Sequence, residues 1–407
     1  MAFIGSLDVG GCERHLATVY PQLAAAGLRV GVVTFRRGGP LETEVRAGGV
    51  DVLCFDRERS GRIFGYDLSR LSSYTTLACV VSDVFRLLRS GRVGVAHFFL
   101  PGAYILGGVG SVLARHSNSV MSRRSLNNYQ VGHPIATRIE HFLHRRMRVV
   151  TANAAPAAAQ LIDEGAPPDR TFVLHSGVDL EPVDRAPDRD TARRIFAIEP
   201  DDLAIAIVAN LIPYKGHADL IEALGRIRAQ LDRKWVLLIA GRDDGPGQAL
   251  KQRAEQLGIA SNIRWLGLIN NVPALWRAAD IGVLASHQEG LPNSLLEAMS
   301  TGTPMVTTNV GGVADIVTNN VDALIVPPRD PEAMAGALLR LVESADLREH
   351  IGIAAAARIR NAFSLDVCIG NYLRLYRTML SRPTLSGAEI ARQFQTEFLE
   401  PARVASL

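Results

Sequence analysis

Two carboxylates eight residues apart, Glu289 and Glu297, lie in the run S-H-Q-E-G-L-P-N-S-L-L-E-A-M-S-T-G between Ser286 and Gly302. An apolar strand, Ile281 to Ala285, feeds a turn at Glu289-Gly290-Leu291. A helix then opens at about Pro292 or Asn293, because proline's missing N–H would be unpaired at a first helical position anyway. Gly302 suits the residue just past the helix, where positive φ is often needed. The free N–H groups at the helix start, Asn293 and Ser294 among them, and the positive dipole end make an anion site. An anion site bracketed by two acids suits a ligand bearing both phosphate and hydroxyls, as a nucleotide sugar does.

Other residues extend that chemistry. The chain has only three lysines, Lys215, Lys234 and Lys251. Lys215 falls in Asn210-Leu211-Ile212-Pro213-Tyr214-Lys215-Gly216, a strand-to-helix loop where an ammonium can reach a phosphate as a mobile point charge. Ala240-Gly241-Arg242-Asp243-Asp244 follows the next strand, and Arg242 is either a second phosphate cation or part of a plain turn. Arg123 and Arg124, after another strand, are open to the same two readings. His97, at a strand end, is either a satisfied core group or a functional one. Asp243-Asp244 and Asp188-Arg189-Asp190 lack the converging oxygens a hard cation needs, so no metal site is expected. Cysteines 12, 54, 79 and 368 are scattered, which suggests a reducing compartment and no zinc.

Stepping outward, strand-like apolar runs alternate with helical patterns, which predicts α/β architecture with parallel sheets. First-half strands are expected at Ala2 to Ile4, Arg29 to Thr34, Val50 to Phe55, Val93 to Phe98, Ser119 to Ser122, Val149 to Ala152 and Phe172 to His175. In the second half they are expected at Leu203 to Ala209, Trp235 to Ala240, Ile263 to Gly267, Ile281 to Ala285, Met305 to Thr308 and Ala323 to Val326. Residues 1–180 form one domain on this reading and 201–364 another. The polar, proline-bearing stretch 181–200 reads as a linker. Residues 365–382 form a helix, and 383–407 a tail with a short helix near Ala388 to Phe398. The first strand is shorter than the five or six residues of a usual buried strand, so the chain is read as beginning inside it. Ligands of such sheets bind outside the carboxyl ends of the strands, which places the site in a cleft between the halves.

At 407 residues, with 47% hydrophobic and 21% charged residues, the composition is globular. A net charge of +3 suits anionic ligands or an anionic membrane surface but not nucleic acid. The start lacks the basic and apolar segments of a secretory signal, so a cytoplasmic location is expected. Val93 to Ala114 is uncharged over a membrane-spanning length. Pro101-Gly102 and several glycines interrupt it, so strand, turn and buried helix is the better reading. The stretch Arg138 to Arg148, R-I-E-H-F-L-H-R-R-M-R, gathers Ile139, Phe142, Leu143 and Met147 on one helical face. Such a helix either lies on an anionic bilayer as a peripheral anchor or packs its apolar stripe on the sheet. No G-x-G-x-x-G follows a strand, which disfavours a dinucleotide-dependent dehydrogenase.

The text from Glu289 to Gly312, E-G-L-P-N-S-L-L-E-A-M-S-T-G-T-P-M-V-T-T-N-V-G-G, resembles the E-x7-E signature of retaining family 4 glycosyltransferases. The resemblance implies the GT-B fold: two facing Rossmann-like, doubly wound α/β domains with a cleft between them. In that fold, residues 365–382 cross back to the first domain. It also implies transfer of a sugar from a UDP- or GDP-linked donor to a hydroxyl acceptor, glycan or lipid-linked, in cell-surface glycan or glycolipid synthesis. No cofactor or metal is implied. Lys215 resembles the lysine of the family's V-G-R-L-x-x-x-K-G phosphate loop, where the usual arginine is here Asn210. Asp8-Val9-Gly10-Gly11 resembles its glycine-rich first loop, whose Gly10 and Gly11 N–H groups would touch the donor phosphates. Backbone near Leu268 would read the base, and Gly290, Leu291 and Pro292 would shape the donor site. Glu297 would accept ribose hydroxyls, and Glu289 would hold a hydroxyl of the transferred sugar. His97 matches a histidine that often faces the sugar, although a second histidine found in some members is Phe99 here. Two rivals are a nucleotide-sugar epimerase or phosphorylase on the same architecture, and a non-catalytic nucleotide-sugar binder.

Overall fold

Runs of β-branched and apolar residues, each followed by a helical stretch, assemble into two parallel sheets in the computed structural model. It describes residues 1–55, 62–63, 66–67, 69–125, 130 and 132–398. The chain divides into two compact units, Met1–Ser176 with Cys368–Leu407, and Gly177–Val367.

The first unit carries a seven-stranded sheet. Its strands are β1 (Ala2–Ile4), β2 (Gly31–Thr34), β3 (Asp51–Cys54), β4 (Ala96–Phe99), β5 (Ser119–Arg123), β6 (Val149–Ala152) and β7 (Thr171–Val173). They lie in the order β3-β2-β1-β4-β5-β6-β7, so the direction of winding reverses between β1 and β4. Helices α1 (Gly11–Ala25), α2 (Pro101–Leu113) and α3 (Pro134–His144) follow β1, β4 and β5. The uncharged span from Val93 is thus a buried strand, a turn and a helix. Among the described residues, no helix is long and apolar enough to cross a membrane.

The second unit carries β8 (Leu203–Val208), β9 (Trp235–Ala240), β10 (Ile263–Gly267), β11 (Ile281–Leu284), β12 (Met305–Thr308) and β13 (Leu324–Val326). Their order is β10-β9-β8-β11-β12-β13, which reverses between β8 and β11. Helix α4 (His217–Ile227) follows β8, and α5 (Asn293–Ser300) follows β11. Strands β9 and β11 are buried throughout, as expected for parallel strands covered on both faces.

The expected linker is not one. Residues 181–200 hold the helices Glu181–Asp184 and Arg189–Ile195, which belong to the second unit, and the division falls at Ser176 instead of residue 180. Two of the residues that suggested slack chain are helix starts. Pro182 stands in a first turn, and Asp188 caps the next helix by accepting from the Thr191 N–H at 2.9 Å. Arg193 is buried and donates to Asp280 at 3.2 Å, which fixes the segment to the sheet.

The helix Leu365–Ser381 contributes two tyrosines one turn apart to the interior of the first unit. Tyr372 meets His15 of α1 at 3.1 Å, and Tyr376 starts a buried chain of hydrogen bonds. The donors in that chain can be assigned in sequence. Thr151 donates to the Met121 carbonyl at 3.1 Å, so Ser122 donates to Thr151 at 2.5 Å. Ser122 Oγ then accepts from His97 Nε2 at 2.7 Å, His97 Nδ1 accepts from Tyr376 at 2.7 Å, and Tyr376 accepts from Tyr20 at 2.8 Å. His97 is therefore the neutral Nε2–H tautomer. Burial holds His97 and His15 well below the usual histidine value of 6.5, with Arg124 adding to the effect at both.

Unfolding exposes these two rings, which then take up protons near 6.5 that the folded protein refuses. The contribution of these two histidines to stability is accordingly fullest above pH 6.5 and falls as the pH drops below it. Tyr376→Phe strands the His97 and Tyr20 polar atoms and should cost about 1–3 kcal/mol. Thermal denaturation across pH 5–8 reads both effects. Measured in Glu297→Gln, which removes an acid of opposite pH dependence, a melting temperature that does not fall toward pH 5, or an unchanged Tyr376→Phe variant, contradicts this account.

Candidate functional site

The functional side chains of the second unit gather where its strand order reverses. The loops leaving β8 and β11 diverge there, and the crevice between them is the usual ligand position in a doubly wound sheet. The β8 loop carries Lys215, and the β11 loop carries Glu289. Their side chains meet, with Lys215 Nζ 2.7 Å from Glu289 Oε1, at 21 and 11% exposure. Ser286 also donates to the same carboxylate oxygen, at 2.6 Å. The Lys215 ammonium lies 5.4 Å from the Tyr214 ring centre.

Backbone packing makes that meeting possible. Gly216 has φ 70° and sits against the Ala285 carbonyl, so a side chain there would strike the neighbouring loop. Gly311 has φ 51° and lies as tightly against the Glu289 carbonyl. The Glu289 loop is braced on its other flank as well. The Gly312 N–H donates to the Gly290 carbonyl at 2.6 Å, and Thr308 Oγ1 donates to the Ser286 carbonyl at 2.6 Å.

Helix α5 starts four residues after Glu289, with Pro292 at its cap and no side chain capping its first N–H groups. Asn293 and Ser294 form its first turn, whose N–H groups are of the kind that can receive an anion. Glu297 lies one turn on. Burial pushes its carboxyl up from 4.5 to about 7, with no compensating charge or hydrogen bond among the causes. A half-buried acid with a raised carboxyl and no protein partner is the kind of group that takes ligand donors.

The remaining predicted residues of this unit are placed as follows. Asn210 Oδ1 accepts the Arg242 backbone N–H at 3.1 Å, so the Asn210 side chain ties its loop to the next one. The Arg242 guanidinium is itself exposed and turned onto Asp244 at 2.5 Å. Gly267 closes β10, and the Leu268 side chain after it is exposed. Among the described residues, no group of three or more His, Cys, Asp or Glu is arranged to hold a metal ion.

In the first unit the outcome is mixed. Gly10 caps α1 and Gly11 opens it, with the Glu13 carboxylate folded back over Gly10. His97 is wholly buried with both ring nitrogens engaged, so this geometry leaves no ring atom free for a sugar. Arg123 is corrected in the same way. It is the last residue of β5, faces inward, and pairs with Glu164 at 2.6 Å and Glu140 at 3.8 Å. Arg124 points elsewhere and donates to Ser176 at 2.5 Å. Leu126, Asn127 and Asn128 of the same loop lie outside the described residues. Of the expected apolar stripe on α3 and the turn after it, Leu143 and Met147 are buried and Ile139 packs against the core, whereas Phe142 is half exposed.

Residues that sequence reasoning missed include Ser286, which bonds Glu289, and the pair His287 and Asp219. Their signal was proximity alone, since two directly precede the Glu289 turn and one follows Lys215 by four.

A lysine–glutamate pair at the reversal point of a doubly wound sheet, beside an uncapped helix start, is an arrangement that can hold a phosphorylated, hydroxyl-bearing ligand. The Glycosyltransferase Family 4 model matches residues 9–182, and the Glycosyl transferases group 1 model matches residues 188–358. A D-inositol 3-phosphate glycosyltransferase of Geodermatophilus obscurus is 34% identical over 238 residues, 56% of this chain and 52% of that one. One from Nocardioides sp. is 29% identical over 402 residues, 92% of this chain and 86% of that one. The fold is similar to the crystal structure of Anabaena Alr3699/HepE in complex with UDP. The TM-score is 0.77 at 20% identity, covering 91% of this chain and 97% of that one. The chain belongs to the family 4 glycosyltransferases and has the GT-B fold.

The raised Glu297 value gives a stability prediction. The folded carboxyl binds its proton up to about pH 7, the unfolded one only to about 4.5. Its contribution is therefore intact below pH 4.5 and lost as the pH rises through 7. Glu297→Gln removes that loss and should stabilise the ligand-free protein at pH 8, by up to roughly 3 kcal/mol. The gain should vanish near pH 4.5. Melting curves at the two pH values test this, and equal shifts at both would refute a desolvated acid.

Proposed function

We propose that this glycosyltransferase takes a UDP- or GDP-linked sugar and transfers it, with retention and without a metal, to a hydroxyl acceptor. The observation that carries the donor assignment is the Lys215–Glu289 contact beside the α5 N-terminus. Departure of the nucleoside diphosphate is the demanding step, because negative charge accumulates on it as the bond breaks. Lys215 and the first N–H groups of α5, at Asn293 and Ser294, meet that charge. Gly10 and Gly11 are proposed to add backbone N–H donors. Glu297 accepts hydrogen bonds from the ribose, and Leu268 backbone lines the base. Gly290, Leu291 and Pro292 let the sugar approach the loop closely. Arg242 and Asn210 border the diphosphate, and Arg124 is proposed on the acceptor side.

In the proposed chemistry, the bond from the anomeric carbon to the phosphate oxygen breaks first. The acceptor oxygen then forms its bond on the face just vacated, and its proton passes to the departing phosphate. Glu289 holds a hydroxyl of the sugar and favours the positive charge developing at the anomeric carbon. No protein base is required. The two named relatives act on D-inositol 3-phosphate, so a phosphorylated cyclitol is the first acceptor to test, before glycan and lipid-linked ones.

A peripheral role at a cytoplasmic membrane face, in glycan or glycolipid synthesis, is the remaining part of the proposal. Ile135 and Phe142 of α3 are 74 and 50% exposed, and Arg138, Arg145 and Arg146 beside them are also exposed. Apolar groups rimmed by arginine suit an anionic bilayer.

Assays with UDP- and GDP-sugars in the presence of a chelator should show transfer, with NMR of the product giving the donor's anomeric configuration. Inverted product, or activity lost to chelator, overturns the corresponding part. Lys215→Ala and Glu289→Gln should each lower turnover by about 10²–10³-fold. Because Glu297 works ionised, donor affinity should weaken as the pH falls below about 7 and become pH-independent in Glu297→Gln. Sedimentation with anionic vesicles should be lost on Phe142→Ser, and equal sedimentation with neutral vesicles would count against the membrane role.

A further inference from the structure

The loops carrying Lys215 and Glu289 are tied together a second time, by residues with no place in the chemistry above. His287 stands two residues before Glu289. Its backbone N–H donates to the Tyr214 carbonyl, next to Lys215, at 2.7 Å. Its ring Nε2 lies 2.6 Å from the Asp219 carboxylate in the first turn of α4. Both side chains of this pair are largely shielded, at 16 and 17% exposure. Two polar side chains so held lose less to solvent competition than a surface pair would.

We propose that His287 and Asp219 are positioning residues that keep Glu289 in register while Lys215 is occupied by the donor. The inference rests on the donor site assigned above. In the structure, Lys215 and Glu289 hold each other at 2.7 Å. A donor diphosphate must take the ammonium for itself, which dissolves that tie just when Glu289 has to meet the sugar. Among the described residues, the side-chain link from the β11 loop to α4 that survives this exchange is His287 to Asp219. It does not face the phosphates through Lys215, so donor binding leaves it intact. A displacement of about 1 Å at a reacting centre costs on the order of a hundredfold in rate.

The consequence is a split between binding and turnover. His287→Ala should lower kcat by roughly tenfold to a hundredfold. The Kd of the nucleoside diphosphate, which lacks the sugar, should change less than about twofold, since Lys215 and the α5 N-terminus are untouched. Asp219→Ala should match it, and the double variant should be no worse than either single one, as expected for two halves of one contact. Asp219→Asn keeps an acceptor oxygen and should restore most of the turnover. Measured with the full chain, nucleoside diphosphate binding by titration calorimetry also reports that each variant is folded. Additive losses, unchanged kcat in His287→Ala, or a parallel loss of nucleoside diphosphate binding would each overturn the proposal. A wild-type protein that transfers no sugar from any donor would instead defeat the donor-site reading itself.

Discussion

The proposed donor site depends on one contact between unlike charges, Lys215 with Glu289, set where the strand order of the second sheet reverses. Two loops leave adjacent strands there and turn opposite ways, so a side chain from each can reach the same point. Nothing in such a crevice guarantees that the loops approach closely enough. Gly216 does that by taking positive φ and presenting no side chain to the Ala285 carbonyl. Gly311 performs the same service on the other flank, against the Glu289 carbonyl. The ion pair is therefore a product of backbone packing, and the backbone packing is a product of where glycine is permitted.

The contrast between the two glutamates follows from their surroundings. Glu289 accepts from both Lys215 and Ser286 and so has its charge compensated within the protein. Glu297, on the helix, is desolvated and has no compensating group, which raises its carboxyl to about 7. One acid is held ready by the protein, while the other waits for hydroxyl donors from outside. An environment of that kind lowers the stability of the empty fold and is recovered on binding, which is the usual relation between a binding site and its scaffold.

How much of this was legible varied with the physical signal. Strands announced themselves as apolar runs, and Ala2–Ile4, Val149–Ala152 and Trp235–Ala240 lie where expected, because a parallel strand covered on both faces has little compositional freedom. The start of α5 was equally plain from Pro292 and the residues after it. The stretch 181–200 was misread because proline and aspartate break helices and also begin them, and only packing decides which. Asp280, some ninety residues away, was the missing fact, since it is the partner that buries Arg193. Arg123 and Arg124 looked equivalent in sequence. The strand's end separates them: Arg123 is the last residue of β5 and turns inward to Glu164, while Arg124 lies past it and reaches Ser176. His97 could not be judged from its strand alone, because the tyrosine that satisfies it comes from position 376.

The use of lysine at position 215 is informative in a chain otherwise so rich in arginine. A guanidinium facing Glu289 would bind it through two parallel hydrogen bonds with fixed geometry, and the pair would resist separation. An ammonium is a compact charge on a flexible stem with no directional fork. It can neutralise Glu289 in the empty site and swing to a diphosphate without the loss of a second matched bond. On the proposed donor assignment, a diphosphate offers more negative charge than one carboxylate, so the exchange runs toward the donor and releases Glu289 as a sugar hydroxyl arrives beside it. On this view the resting ion pair is a placeholder whose weakness is functional. The same weakness explains why the register of the two loops has to be secured elsewhere, by contacts that a phosphate does not disturb.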